Sequence, residues 1–297
     1  MDKLVVITGT NASGKSGLGI ELAKKYSAEI VSADSRQVFE GLDLGSGKVT
    51  KEEMQGIPHY LIDVAKPNDF FSLADYQRLA YEAIDDVMAR GVKPFLVGGT
   101  GLYINAVADG YNLNRSKPDP VVRAQVEKMP IEELIKLIEK EAPHMLLKLD
   151  LMNKRRLERA AEKIIAGDAE AKPSIPRYET LVLGVTWPRD VLYERIRIRL
   201  DKRLKEGMID EVISLREDGA TDEFLYKLGL EYRYILMYLR GEFADFDAFY
   251  NKLFMEIRHL AKEQMTWFRK RTDIKWIDMQ GDAKKEATRL IDEFYNR

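Results

Sequence analysis

Residues 3–16, KLVVITGTNASGKS, decide the fold. The run from Lys3 to Thr8 is short, apolar and rich in β-branched residues, as a buried parallel strand is. Residues 9–16 match G-x-x-x-x-G-K-[ST] without a gap: Gly9, Thr10, Asn11, Ala12, Ser13, Gly14, Lys15 and Ser16. The glycines let the backbone curl so that its N–H groups face phosphate oxygens, and the following helix adds the favourable end of its dipole. Lys15 supplies a point charge to the terminal phosphate, and the Ser16 hydroxyl is placed to ligate magnesium. An amphipathic stretch from Leu18 to Tyr26 completes the strand–loop–helix context that such a loop needs. The motif specifies a bound diphosphate-like anion and leaves the reaction open.

Outward from this unit, EIVSAD (29–34), HYLID (59–63), KPFLVGG (93–99), TLVLGVTW (180–187) and IKWI (274–277) read as further strands. Helical stretches such as 71–91 alternate with them. The expected architecture is α/β, a P-loop NTPase-like doubly wound parallel sheet, with ligands at the carboxyl ends of the strands. Polar, proline-bearing stretches at 112–120 and 169–179 bracket a helical segment in which Pro130 and Pro143 sit as helix-starting prolines. We therefore divide the chain into a core of residues 1–112 and 178–297 and a helical insertion of residues 113–177.

Two loops draw attention. Asp34 at the end of the second strand suits a general base, a carboxylate helping to hold magnesium, or a helix N-cap. Gly98-Gly99-Thr100-Gly101 ends another strand, where glycines admit close backbone approach and Thr100 offers a hydroxyl.

Composition excludes several classes. The 297 residues are 45% hydrophobic and 32% charged, enough for a core in one large domain or two modest ones. No apolar run approaches the roughly 18 residues of a membrane span, and MDKLVVITGT does not read as a secretory leader. Cysteine is absent, which removes thiol chemistry and disulfides, and the three histidines are never at metal-ligand spacing. The expected compartment is the cytoplasm.

The net charge of −2 conceals an uneven distribution. Fifteen Lys/Arg face nine Asp/Glu between Lys148 and Lys205, and six face two between Arg258 and Lys275. Basic segments on an acidic body suit a localised polyanion-binding face. Arg195, Arg199 and Lys202 or Arg203 fall on one helix face by their spacing. The three tryptophans and the tyrosines at 226, 232, 234 and 238 read as packing residues.

Three segments together resemble the tRNA dimethylallyltransferase family: GTNASGKS (9–16), SADSRQVFEGLDLGSGK (32–48) and FLVGGTGLY (95–103). The resemblance continues through IPHYLID (57–63), NKRRLERA (153–160), LYERIRIRL (192–200) and RHLAKEQMTWFRKR (258–271), in the family's order. Departures fall at Thr10 and Asn11, where the family usually has proline and threonine, and at His259 and Glu263.

The resemblance implies transfer of a dimethylallyl group from dimethylallyl diphosphate to the exocyclic amino nitrogen of the adenine 3′ to the anticodon of tRNA. Residues 9–16 would then hold the donor's diphosphate, with magnesium on Ser16. Asp34 would be the general base, and Thr100 and Arg199 would complete the catalytic set. Asp34, Ser35, Arg36, Gln37 and Thr100 would meet the anticodon stem-loop. Arg123, Arg155, Arg156, Leu157, Glu158 and Arg159 would grip it from the insertion. A chain carrying all of these would work as a monomer. Competing expectations are prenyl transfer to free adenine nucleotides, a nucleotide or metabolite kinase using the same loop for ATP, and an RNA-binding switch without catalysis.

Overall fold

The structure is a computed structural model describing residues 1–113, 119–147, 149–167 and 173–297. Parts of both expected linkers lie outside these residues. The described chain forms two compact units, Met1–Tyr111 with Ile175–Arg297, and Asn112–Ser174.

Among the described residues of the first unit, six strands make one parallel sheet. They are β1 (Lys3–Gly9), β2 (Ala28–Ser32), β3 (His59–Tyr60), β4 (Lys93–Gly98), β5 (Glu179–Thr186) and β6 (Lys275–Asp278), in the order β3-β2-β4-β1-β5-β6. β1 is central, in register with β4 from Val5↔Phe95 to Thr8↔Gly98 and with β5 from Lys3↔Glu179 to Gly9↔Val185. Its residues are apolar without alternation because helices cover both faces.

The helices before the second unit are α1 (Lys15–Tyr26), α2 (Lys51–Met54), α3 (Leu73–Ala89) and α4 (Gly101–Ala108). The second unit holds α5 (Pro120–Glu127), α6 (Ile131–Glu141), α7 (Pro143–Leu146) and α8 (Lys154–Ile165). The chain then continues through α9 (Arg189–Lys205), α10 (Met208–Glu217), α11 (Asp222–Leu228), α12 (Leu230–Leu239), α13 (Phe246–Phe268) and α14 (Ala283–Tyr295). Val5 and Ile7 point into one core with α1 and α14, while Leu4 and Val6 point into a larger one with α3, α4, α9, α12 and α13. The two-residue period of a strand thus divides β1 between both cores.

Two expected strands end early. His59–Tyr60 pair with β2, but Leu61 and Asp63 take φ of 62° and 55°, leaving the extended region. Asp63 instead pairs with Lys48. β2 stops at Ser32, so Asp34 stands in the loop beyond it. Pro130 is the N-cap of α6, one residue before its first turn, and Pro143 opens α7.

The second unit has its own core of Val126, Leu134, Ile138, Leu157, Ala160 and Ala161. Where the first unit's chain breaks off and resumes, the Ile175 N–H donates to the Gly110 carbonyl at 3.0 Å. Gly110 has φ of 65°, and a Cβ there would lie 1.8 Å from the Ile175 carbonyl oxygen, so no other residue fits this approach. No described helix is long and apolar enough to cross a membrane.

Candidate active site at the carboxyl ends of the strands

The loops after β1, β2 and β4 converge, as the switch point of a doubly wound sheet requires. The first curls between β1 and α1, with Gly14 as the left-handed N-cap at φ 87°. Its shape is held from outside. The Trp187 indole N–H donates to the Ser13 carbonyl at 2.8 Å, and the Arg195 Nε–H to the Ala12 carbonyl at 2.9 Å. The Arg195 guanidinium also lies 4.6 Å from the Trp187 ring centre, a cation–π contact that fixes both.

Gln264 of α13 joins two of the loops. Its Oε1 accepts the Asn11 N–H at 2.8 Å, and its Nε2 donates to the Gly99 carbonyl at 3.0 Å. The second loop is tied to the third at Thr100, whose Oγ1 accepts the Ser35 N–H at 3.0 Å. The Thr100 N–H in turn donates to the Ala33 carbonyl at 3.0 Å. Asp34 Oδ1 accepts the Arg36 N–H at 3.0 Å, an Asx turn that holds the carboxylate.

These loops enclose a cavity of about 330 Å³. Asn11, Lys15 and Ser16 line it on one side, Asp34, Ser35, Arg36 and Gln37 on another, with Thr100 and Arg199 completing the wall. Gly9 and Thr10 are absent from that wall. Gly9 ends β1 and packs on Val185, and the Thr10 carbonyl accepts from the Lys15 ammonium at 3.3 Å. Ala12, Ser13, Gly14, Lys15 and Ser16 line an adjoining recess of about 530 Å³, facing Arg195, Arg199, Lys202 and Arg203.

The electrostatics suit an anion. Burial pushes the Lys15 ammonium down to about 8, opposed by Asp34 and reinforced by Arg199 and Arg203. Burial and the neighbouring Arg203 push Arg199 down to about 9, opposed by Glu231 and Asp34. Cations held this close repel one another until a polyanion enters. The approach depends on Gly47, at φ 66°, because a Cβ there would lie 1.6 Å from an Arg203 nitrogen. Glu211 of α10 fixes that segment by accepting the N–H groups of Asp43, Leu44 and Gly45, and the Gln37 amide donates to the Gly47 carbonyl at 3.1 Å.

The sequence-expected residues of the second unit fall into two groups. Arg155, Arg156 and Arg159 are exposed on α8, and Arg159 shares Glu162 with Arg123, its Nη1 lying 2.5 Å from Oε2. Leu157 is fully buried, and its side chain packs in the unit's core. Glu158 pairs with Lys154 at 3.5 Å, and Arg123 donates through Nε to Glu162 at 2.9 Å.

Trp187 and Trp267 pack against the main core as expected and also serve the site, whereas Trp276 stands apart from it. Trp187 holds the phosphate loop, Trp267 lines the cavity, and Trp276 is 37% exposed. Gln264 and Glu231 were not singled out from sequence. For Gln264, the signal available was its i, i+3 spacing with Trp267 on one helix face.

A family model described as IPP transferase matches residues 37–271. The chain belongs to the IPP transferase family. A relative named tRNA dimethylallyltransferase 2, from Citrifermentans bemidjiense, is 41% identical over 97% of this chain and 94% of its own length. A Bacillus pumilus tRNA dimethylallyltransferase is 36% identical over 97% of this chain and 95% of its own. Among solved structures, the full-length tRNA isopentenylpyrophosphate transferase of Bacillus halodurans superposes with a TM-score of 0.75 at 36% identity, covering 100% of this chain and 96% of that one. The fold seen here, a P-loop-like parallel sheet with helices on both faces, is thus similar to that of a tRNA isopentenylpyrophosphate transferase of known structure.

Proposed function

We propose that this protein is a tRNA dimethylallyltransferase, moving a dimethylallyl group from dimethylallyl diphosphate to the exocyclic amino nitrogen of the adenine 3′ to the anticodon and releasing pyrophosphate. One observation carries the reading. The phosphate loop's Lys15 and Ser16 share a single cavity with Asp34, Thr100 and Arg199, so an anionic leaving group and a proton acceptor face the same space. The similarity to tRNA dimethylallyltransferases supports it over phosphoryl transfer, prenyl transfer to free nucleotides, and RNA binding without chemistry.

The diphosphate would rest against the N–H groups of residues 9–16, with Lys15 and Arg199 meeting the charge that grows as the carbon–oxygen bond breaks. Magnesium fits this site. The donor set is one hydroxyl, Ser16, beside the oxygens of the donor, and the described residues contain no cluster of three acidic or histidine ligands that would make a protein-only cage. A hard cation of this kind is commonly held by one or two protein oxygens plus substrate phosphates. When bound it would neutralise leaving-group charge.

Asp34 would accept the amino proton as the new carbon–nitrogen bond forms, its Oδ1 already steadied by the Arg36 N–H. Thr100, fixed by Ser35 and Ala33, would orient the adenine. Extruding a base costs a few kcal/mol and least where it is already unpaired, which favours an anticodon loop. Ser35, Arg36 and Gln37 would meet the bases beside it. The exposed arginines of α8 would add phosphate contacts. Because one chain supplies every group, the enzyme would act as a monomer, and its cysteine-free composition suits the cytoplasm.

The test is mass spectrometry of unmodified anticodon stem-loop RNA after incubation with the protein, dimethylallyl diphosphate and magnesium. A gain of one dimethylallyl group on that adenine is expected. Unchanged RNA accompanied by ATP hydrolysis or phosphate transfer would reject the reading.

A further inference from the structure

α12 begins in a strained turn. Gly229 has φ of 77°, and Leu230 takes φ of 40°, a region that residues with a Cβ seldom adopt. Strain of this kind persists where the surrounding structure demands it, and it gathers at functional sites. Here it immediately precedes a residue of the cavity wall. Glu231, in the first turn of α12, lines the cavity, yet it is only 4% exposed.

A carboxylate so deeply placed needs a partner. Its Oε2 accepts from Arg36 Nη1 at 2.8 Å, and its charge also bears on Arg199. Arg36 is consequently tied at both ends, its backbone N–H to Asp34 and its head group to Glu231. It also stands on two surfaces. Arg36, Leu260, Glu263 and Trp267 line both the cavity and a neighbouring groove of about 580 Å³ that adds Tyr234 and Lys262.

We propose that Glu231 is a positioning residue for RNA recognition. By clamping Arg36 it holds the guanidinium plane on the rim shared by cavity and groove, where a nucleotide next to the extruded adenine must pass. A guanidinium anchored at one nitrogen, on a wall that an indole also lines, offers a stacking face and unused N–H donors to a base. This rests on the function proposed above, because it assigns Glu231 to the RNA side of the site rather than to the diphosphate side.

The experiment compares Glu231→Gln, Glu231→Ala, Arg36→Ala and the Glu231→Ala/Arg36→Ala double variant with the unaltered protein. The readouts are steady-state kinetics with an anticodon stem-loop RNA and dimethylallyl diphosphate, and donor-free RNA binding by fluorescence anisotropy. Glu231→Ala and Arg36→Ala are each expected to raise the RNA KM and Kd about tenfold, as removal of one well-made hydrogen bond does. In Arg36→Ala the donor KM should stay within about twofold, because Glu231 still faces Arg199 there, and this variant separates the clamp from the diphosphate side. The double variant should be no worse than the more impaired single variant, because the two residues act as one unit. Glu231→Gln keeps an acceptor for Nη1 and should fall between, and it carries the comparison if the alanine variant does not fold.

A lower kcat and a higher donor KM with unchanged RNA binding would overturn the proposal. So would additive effects in the double variant, or a lowered melting temperature as the sole change. If the unaltered protein binds the stem-loop without modifying it, the functional reading fails, while the anisotropy cycle still judges the clamp.

Discussion

At the scale of single residues, Asp34 and Glu231, two of the cavity's carboxylates, stand in different surroundings. Asp34 lines the cavity with one oxygen already engaged by the Arg36 N–H. Asp34→Asn keeps an oxygen for that hydrogen bond and removes the base that the proposed function assigns there. Single-turnover mass spectrometry should show the rate lowered by about 10²–10⁴, with stem-loop affinity changed little. Lys15 sets a pH dependence. In the ligand-free protein its ammonium titrates at about 8 instead of 10.5, so it is charged below that pH and neutral above it. Pyrophosphate affinity, followed by calorimetry, should be flat up to about pH 8 and then fall toward tenfold per unit, and Lys15→Met should flatten the curve. The same shift acts on stability. Below about 8 both folded and unfolded chains hold the proton. Between about 8 and 10.5 the unfolded chain holds more, so this group's contribution to stability rises with pH across that window, and Lys15→Met should lack the rise. Asp34 and Thr100 were legible in the sequence because each sits a few residues past a recognisable strand. Glu231 was not, since its partner Arg36 is 195 residues away and the strained turn before it has no sequence pattern beyond one glycine.

At the scale of elements, the cavity is made by loops but held by helices. α13 is the clearest case, because Gln264 alone bonds both the phosphate loop and the loop after β4. Gln264→Leu should leave the Asn11 N–H and the Gly99 carbonyl without these partners and lower stability by about 1–3 kcal/mol, measured by denaturant unfolding. The donor KM should rise with it, since the loop N–H groups lose their alignment. Short elements were the hardest to place from sequence. HYLID has a strand's composition, but left-handed Leu61 and Asp63 end it after two residues, because the Asp63 carboxylate is drawn to Lys48. Composition read the tryptophans only in part. Trp187 and Trp267 do pack against the core, but their second role, one bonding the phosphate loop and the other lining the cavity, has no signal in their apolar sequence neighbours.

For the whole molecule, the parallel sheet was readable because β1, β4 and β5 are buried on both faces and so lack polar alternation. The uneven charge has a measurable counterpart. If the exposed Arg155 and Arg156 meet phosphates, replacing both by alanine should make the slope of log affinity against log salt shallower by about 0.7–0.9 for each arginine removed. The melting temperature should hardly move, because neither side chain is in the unit's core. Leu157→Ala, beside them on α8, should do the reverse, costing about 2–5 kcal/mol of stability through a cavity in that core.

The hydrogen bond from Ile175 to Gly110 has an architectural consequence. The two points at which the first unit lets go of its chain and takes it up again are one hydrogen bond apart, so a turn of a few residues would close the gap with a small loop entropy. The segment between them is a cassette on a closed socket. Descendants of this fold are free to lengthen, shorten or exchange it without re-registering a single strand, and a protein engineer can graft a different module there while the sheet stays as it is.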